Sequence, residues 1–191
     1  MKSSYDKYYQ TEHLFGEPYP ALIQFLSAYP NKGTLLDLGC GQGRDAIALA
    51  RLGYKVLGID NSKVGINQMN AIAKEENLAL QGEVADIYTY NRIGEFDVIL
   101  LDSMFHFAKR DKEKEIALLQ KIGADLKAGA ICIVCIQDTG DKVQTLNRVL
   151  DHVNSLKRLA NESFDYVFED AESGHKSSMK YQMIVIEKMH L

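Results

Sequence analysis

Leu35-Leu36-Asp37-Leu38-Gly39-Cys40-Gly41-Gln42-Gly43-Arg44 sets three glycines between a short apolar run and a helix-forming stretch. Glycine has no Cβ, so such a loop can turn tightly and let a ligand approach its backbone. Open α/β sheets bind ligands at this kind of strand-to-helix junction, at the C-terminal edge. From Thr34 onward, short apolar runs alternate with longer helical patterns. Strands are read at 34–38, 55–59, 80–84, 96–101 and 130–136, with helices near 44–52, 63–76 and 112–126. That alternation specifies an α/β protein with a mostly parallel sheet. Val98-Ile99-Leu100-Leu101 and the run Ile131 to Ile136 are apolar at every position, as strands covered on both faces must be.

The two ends of the chain depart from this rhythm. After a helical pattern over 142–159, strand-like runs at 164–168 and 181–187 follow one another with no helix between them. A parallel crossover needs a dozen or more residues and usually a helix. The segment 169–180 is polar, contains Gly174 and reads as a loop, so the last strand is expected to run antiparallel. Residues 1–33 hold Tyr5, Tyr8, Tyr9, Tyr19, Tyr29 and Phe15, and a helix is expected from Pro20 to about Tyr29. They are taken as an aromatic arm and helix belonging to the same domain as residues 34–191.

Spacing narrows the ligand. A dinucleotide fingerprint needs G-x-G-x-x-G/A, but counting from Gly39 the third position is Arg44, with the last glycine one place early at Gly43. The phosphate-binding G-x-x-x-x-G-K-[ST] is absent. Val56-Leu57-Gly58-Ile59-Asp60-Asn61 ends the second strand in an acid about twenty residues beyond the first glycine, where a carboxylate accepts ribose hydroxyl protons. Asp60 could otherwise cap the next helix, although Asn61 or Ser62 can serve there. Val84-Ala85-Asp86-Ile87 repeats the pattern: Asp86 could accept from an adenine amino group while Ile87 packs on the ring, or Asp86 could be a turn residue.

Composition closes off whole classes. At 191 residues, 46% hydrophobic and 25% charged, the chain is neither disordered nor, with three Cys, a disulfide scaffold. Its longest strictly apolar run, 130–136, falls far short of the ~20 residues of a membrane span. Lys and Arg number 22 against 26 Asp and Glu, a net charge of -4, which gives no overall field for a phosphate backbone. The start MKSSYDKYYQ lacks an apolar leader, and free thiols suit a reducing compartment, so a cytoplasmic protein is expected.

Asp37-Leu38-Gly39-Cys40-Gly41-Gln42-Gly43, then Gly58-Ile59-Asp60, Ala85-Asp86-Ile87 and Phe96-Asp97-Val98-Ile99 resemble the ordered motifs of class I S-adenosylmethionine-dependent methyltransferases. Leu126-Lys127-Ala128-Gly129-Ala130 is similar to that family's leucine-lysine-proline-glycine-glycine turn, with Ala128 in place of the proline. The resemblance spans about residues 34–138. It implies a Rossmann-like, doubly wound sheet of seven strands with a reversed last strand, and S-adenosylmethionine as cofactor. Gly39, Gly41 and Gly43 would flank the methionine part, Asp37 the ammonium, Asp60 the ribose, and Asp86 with Ile87 the adenine. Gly41-Gln42-Gly43-Arg44 and the small size are similar to the tellurite-resistance and thiopurine branch, whose members act on chalcogen or sulfur nucleophiles. No Asn/Asp-Pro-Pro-Tyr motif follows the fourth strand, where Leu101-Asp102-Ser103-Met104 stands, which by the same resemblance argues against amino-methylation of adenine or glutamine.

The chemistry of such a cofactor asks mainly for alignment of nucleophile, methyl and sulfur. A general base is needed only for an acceptor that holds its proton at neutral pH. His106, in Leu101-Asp102-Ser103-Met104-Phe105-His106-Phe107, is the candidate base, with a packed core histidine as the alternative. Asp102 could orient the cofactor or cap the following segment. His13 and His175 are weaker candidates, and Tyr9 and its aromatic neighbours could fold over the cofactor, their π faces attracting a sulfonium. Cys132 and Cys135 lie three apart on one strand and so point to opposite faces, which reads as two core thiols. His and Cys show no metal-ligand spacing, and no metal is expected. The expected protein is a monomeric or homodimeric methyltransferase acting on a small molecule. A noncatalytic cofactor-binding module and a nicotinamide oxidoreductase are the alternatives.

Overall fold

The structure, a computed structural model, describes residues 4–11, 14–169 and 176–190. Its strands are β1 (Thr34–Leu38), β2 (Lys55–Asp60), β3 (Leu80–Val84), β4 (Val98–Asp102), β5 (Ile131–Gln137), β6 (Leu156–Glu169) and β7 (Lys176–Lys188). The α-helices are α1 (Pro20–Ala28), α2 (Arg44–Arg51), α3 (Lys63–Glu75), α4 (Lys112–Asp125) and α5 (Lys142–Asp151), and Ser4–Gln10 forms a 3-10 helix. The strands make one seven-stranded sheet in the order β3-β2-β1-β4-β5-β7-β6. The pairs β1-β2, β1-β4 and β2-β3 are parallel, and β7 runs antiparallel to both β5 and β6. The sheet with its reversed final strand is thus the one expected. Among the described residues, no helix is long and apolar enough to cross a membrane.

The chain divides into two compact units, the first comprising Met1–Arg92 with Val98–Leu100. Leu35, Leu36 and Leu38 of β1 are fully buried, and α2 turns Ala46, Leu49 and Ala50 inward at helical spacing. The fully buried Met69 of α3 packs where Gly43, Gly58 and Gly82 lack side chains: a Cβ on any of them would come within 2.4–2.7 Å of its side chain. Pro20 opens α1 at a position where its missing N–H costs nothing.

The second unit comprises Ile93–Asp97 and Leu101–Leu191. Every residue from Ile131 to Ile136 is fully buried, so both β5 thiols lie in the core, and burial pushes that of Cys132 up to about 12. Two expectations need correction here. The helical pattern over 142–159 ends at Asp151, and Leu156 opens β6 after a turn in which Ser155 takes φ +68°. Leu156 and Leu159 continue a spacing of three, while a bulge between Arg158 and Ala160 breaks the alternation that marks a strand. The expected loop at 169–180 is also shorter, since Glu169 and Lys176 already pair as strand residues. Ser178 and Lys180 of β7 are exposed, which accounts for their polarity, and residues 170–175 lie outside the described residues.

Candidate functional site

Sheet register brings the acids of the first unit into step. Asp37 of β1 stands opposite Gly58 of β2, and Asp60, which ends β2, opposite Val84 of β3. Gly39 and Cys40 both donate backbone N–H groups to the Ile59 carbonyl, at 2.7 and 3.2 Å, which ties the glycine loop to β2. Gly39, Gly41 and Gly43 take φ of 86°, 54° and 86°, a left-handed backbone that L side chains rarely adopt, and Gly43 is the N-cap of α2. Gly65, in the first turn of α3, is required for a different reason: a Cβ there would lie 2.5 Å from the Gly41 carbonyl oxygen.

Asp60 joins the loop to the start of α3. One of its oxygens accepts the Gly41 N–H at 3.0 Å and the other the Ser62 N–H at 2.7 Å. The cap of α3 is Ser62, whose hydroxyl accepts from the Gly65 N–H at 3.1 Å, so Asp60 is not needed as a cap. A carboxylate offers about four acceptor sites, which leaves capacity on this half-buried group for a diol. Burial raises its pKa, and the N–H groups of Ser62, Gly41 and Asn61 oppose that rise.

Asp37 is 3% exposed, and its Oδ2 has no hydrogen-bond partner among the described residues. Burial, then the charge of Asp45, hold its carboxyl well above the ordinary 3.8, with Arg44 acting the other way. Arg44 is itself paired with Asp45 at 2.9 Å and lies over the Tyr19 ring at 4.6 Å. Burial also raises the Cys40 thiol and the Tyr9 phenol, and the charge of Asp60 adds to both shifts. Asp37, Asp60, Cys40 and Tyr9 are each driven toward the proton-bearing form. A buried acceptor without a donor in a negative field is the complement of a cation that carries N–H groups. The ammonium of S-adenosylmethionine fits that requirement, and the negative field also suits its sulfonium charge.

The aromatic arm is pinned onto this loop. Asp6 accepts from the Ser62 hydroxyl at 2.6 Å, and the Gln68 amide donates to the Tyr9 carbonyl at 2.9 Å. The Gln42 amide nitrogen donates to the Thr11 carbonyl at 2.8 Å and to Gln68 Oε1 at 2.9 Å, while its oxygen accepts from the Leu14 N–H at 3.1 Å. Tyr9 is buried directly over the loop: a Cβ on Gly41 would lie 2.6 Å from its hydroxyl oxygen. Its ring stacks on Tyr5 and meets Phe15 edge-on, with centroids 5.8 and 6.1 Å away. Sequence reasoning missed Asp6, Gln42, Gln68 and Gly65. Their partners lie up to 59 residues away, beyond any local pattern.

Asp86 is exposed and accepts from the Tyr88 N–H at 2.9 Å, closing a turn after β3 in which Ile87 is buried. Asn61 is exposed beside Asp60. In the second unit, Asp102 is buried and accepts from the Ser103 hydroxyl at 2.8 Å. His106 is exposed between Phe105 and Phe107, which are buried with their rings stacked 5.6 Å apart, so it is not a core histidine. Its backbone N–H is held by Glu115, a residue that sequence reasoning did not single out. His13 and His175 lie outside the described residues. The structure therefore gathers Tyr9, Asp37, Gly39, Gly41, Gly43, Asp60 and Asn61 around one loop of the first unit. Asp102 and His106 belong to the second.

Comparison with known proteins supplies an independent line. The family model described as "Tellurite resistance protein TehB" matches residues 2–177. The chain is 28% identical over 163 residues to "Probable S-adenosyl-L-methionine-dependent methyltransferase TehB" of Haemophilus influenzae, covering 81% of this chain and 57% of that protein. It spans about half the length of the curated relatives it matches. Among solved structures, TehB from Haemophilus influenzae superposes with a TM-score of 0.72 at 19% identity, over 96% of this chain and 65% of that one. The structure reported as "Conversion of a Disulfide Bond into a Thioacetal Group during Echinomycin Biosynthesis" does so with 0.74 at 20% identity, over 91% and 83%.

Proposed function

The chain belongs to the TehB family of class I S-adenosylmethionine-dependent methyltransferases, and from that premise we propose that it methylates a small, soft nucleophile, a thiol or selenide. The observation that carries the cofactor part of this reading is Asp37 Oδ2, a buried acceptor left without a donor beside the glycine loop. When bound, S-adenosylmethionine supplies a methyl on a sulfonium, whose bond breaks with its electron pair left on a neutral thioether. Asp37 is proposed to take the ammonium N–H and Asp60 the ribose hydroxyls, while the glycine loop lets the backbone close on the methionine part. Tyr9 is proposed to shield the loop from water. The description of the family names tellurite resistance, and the echinomycin protein's reaction is at sulfur, which supports a chalcogen acceptor.

A thiol, with a pKa of about 8.5 in cysteine and higher in a simple alkyl thiol, is mostly protonated at neutral pH, so His106 is proposed to take its proton. A hydroselenide is already an anion and needs no base. The test is release of S-adenosylhomocysteine by the purified protein with benzyl mercaptan, sodium hydroselenide, phenol and benzylamine as acceptors. Turnover with the first two is expected. Turnover only with phenol or benzylamine overturns the soft-nucleophile reading, and cofactor binding without turnover on any of the four leaves a binding module.

A further inference from the structure

The segment after β4 is held in an unusual shape by a side chain nine residues downstream. Ser103 and Phe107 both take positive φ, 55° and 49°, although neither is glycine. Non-glycine residues in this region cost energy and persist only where the surroundings enforce them, and they concentrate at functional sites. The residues between them form a crank that turns Phe105 inward and His106 outward. The enforcement is visible at both ends. The Ser103 N–H donates to the Cys135 carbonyl at 2.9 Å, which fixes the start of the crank on β5. Glu115, in the first turn of α4 and only 3% exposed, accepts the N–H of His106 at 3.2 Å and that of Phe107 at 2.5 Å.

A buried carboxylate is costly unless its hydrogen bonds are met, and charge-assisted bonds to N–H groups are about twice as strong as neutral ones. Glu115 accepts from two consecutive amides, those of His106 and Phe107, and so holds the backbone on both sides of the imidazole-bearing residue. An exposed surface loop needs no such anchor. We propose that Glu115 is a positioning residue for methyl transfer: its carboxylate locks the 103–107 crank and thereby sets the direction in which His106 presents its ring to the acceptor. This rests on the proposed role of His106 as the base, and Glu115 itself touches neither acceptor nor cofactor.

The experiment is a double-mutant cycle read with two acceptors. His106→Ala, Glu115→Gln and the double variant are assayed with benzyl mercaptan, whose proton must leave for the sulfur to attack, and with hydroselenide, which attacks as an anion and keeps its one proton through the methyl transfer. Glu115→Gln should lower kcat for benzyl mercaptan at least tenfold, change its KM less than threefold, and leave the hydroselenide rate within about twofold. The double variant should be no slower than His106→Ala alone. Equal losses with both acceptors, or losses that multiply in the double variant, overturn the proposal and leave His106 as base. A wild-type rate for His106→Ala with benzyl mercaptan removes the base instead.

Amide hydrogen exchange reads the positioning without turnover. Glu115→Gln keeps one accepting oxygen but removes the charge that strengthens both bonds, so the His106 and Phe107 amides should exchange at least tenfold faster, while β5 amides keep their protection. Glu115→Asp, which keeps the charge, should restore part of that protection. Unchanged exchange at both amides overturns the proposal whatever the acceptor. Should Glu115→Gln fold poorly, Glu115→Asp, whose shorter side chain draws the carboxylate back from both amides, is read by the same exchange experiment. A smaller acceleration is then expected at His106 and Phe107, and unchanged exchange overturns the proposal.

Discussion

The two carboxylates of the glycine loop differ in what they lack, and that separates their expected behaviour. Asp60 already holds backbone N–H groups on both oxygens, so its replacement removes a link of the loop as well as a ribose contact. Asp60→Ala should weaken S-adenosylmethionine binding by about 1.5–3 kcal/mol, roughly 10- to 150-fold, by isothermal titration calorimetry. Unchanged affinity removes the ribose assignment. Asp37 instead has an oxygen with no donor, and burial keeps its carboxyl protonated well above 3.8. The native state therefore binds a proton that the unfolded chain has lost, so the Asp37 contribution to stability is present at low pH and is lost as pH rises through the raised value. A bound ammonium reverses the preference, because it pairs with the ionised form. Cofactor binding should release a proton, and affinity should climb with pH above the ordinary carboxylate range. Calorimetry in two buffers of different ionisation enthalpy measures that proton, and its absence in wild type would place the ammonium elsewhere.

Elements meet where side chains are missing, and Gly65 shows how much hangs on one such contact. On helix propensity alone, Gly65→Ala should stabilise α3 by about 1 kcal/mol. The new Cβ would instead lie 2.5 Å from the Gly41 carbonyl oxygen, a backbone atom that cannot swing away. We therefore expect Gly65→Ala to destabilise the protein and to weaken cofactor binding, the opposite sign from the propensity argument, in a urea melt with and without S-adenosylmethionine. A stabilised variant would mean that the loop and α3 are not in contact. Gly65 also marks the limit of what the sequence discloses. The glycine loop, Asp60 and the strand alternation could be read because each is a local pattern with a period or a spacing. Gln42 and Gln68 grip an arm that is distant in the chain, and the bulge at Arg158 and Ala160 conceals the period of β6. Glu115 was invisible because it looks like any acid in the first turn of a helix, and only the fold shows that it points inward.

For the whole molecule, binding and folding are linked, so the cradle can be tested without knowing the acceptor. A ligand at 100 times its Kd stabilises the native state by about 2.7 kcal/mol. In a protein of this size that raises Tm by roughly 5–11 °C. S-adenosylhomocysteine should produce such a shift and NADH none, since the last glycine falls one position short of the dinucleotide spacing. The distribution of the effect is as informative as its size. Tyr9, Asp37, Asp60 and the three loop glycines all belong to the first unit. Ligand-induced amide protection should therefore concentrate at 36–43 and 58–66, where N–H groups hold the loop, Asp60 and the start of α3 together. The burial of Asp37 also predicts that this binding depends weakly on salt, unlike attachment to a phosphate backbone. A Tm shift equal for the two ligands would return the protein to the nucleotide-binding class at large. A shift for S-adenosylhomocysteine with no protection at 36–43 would mean that the ligand is held by residues other than the buried acids.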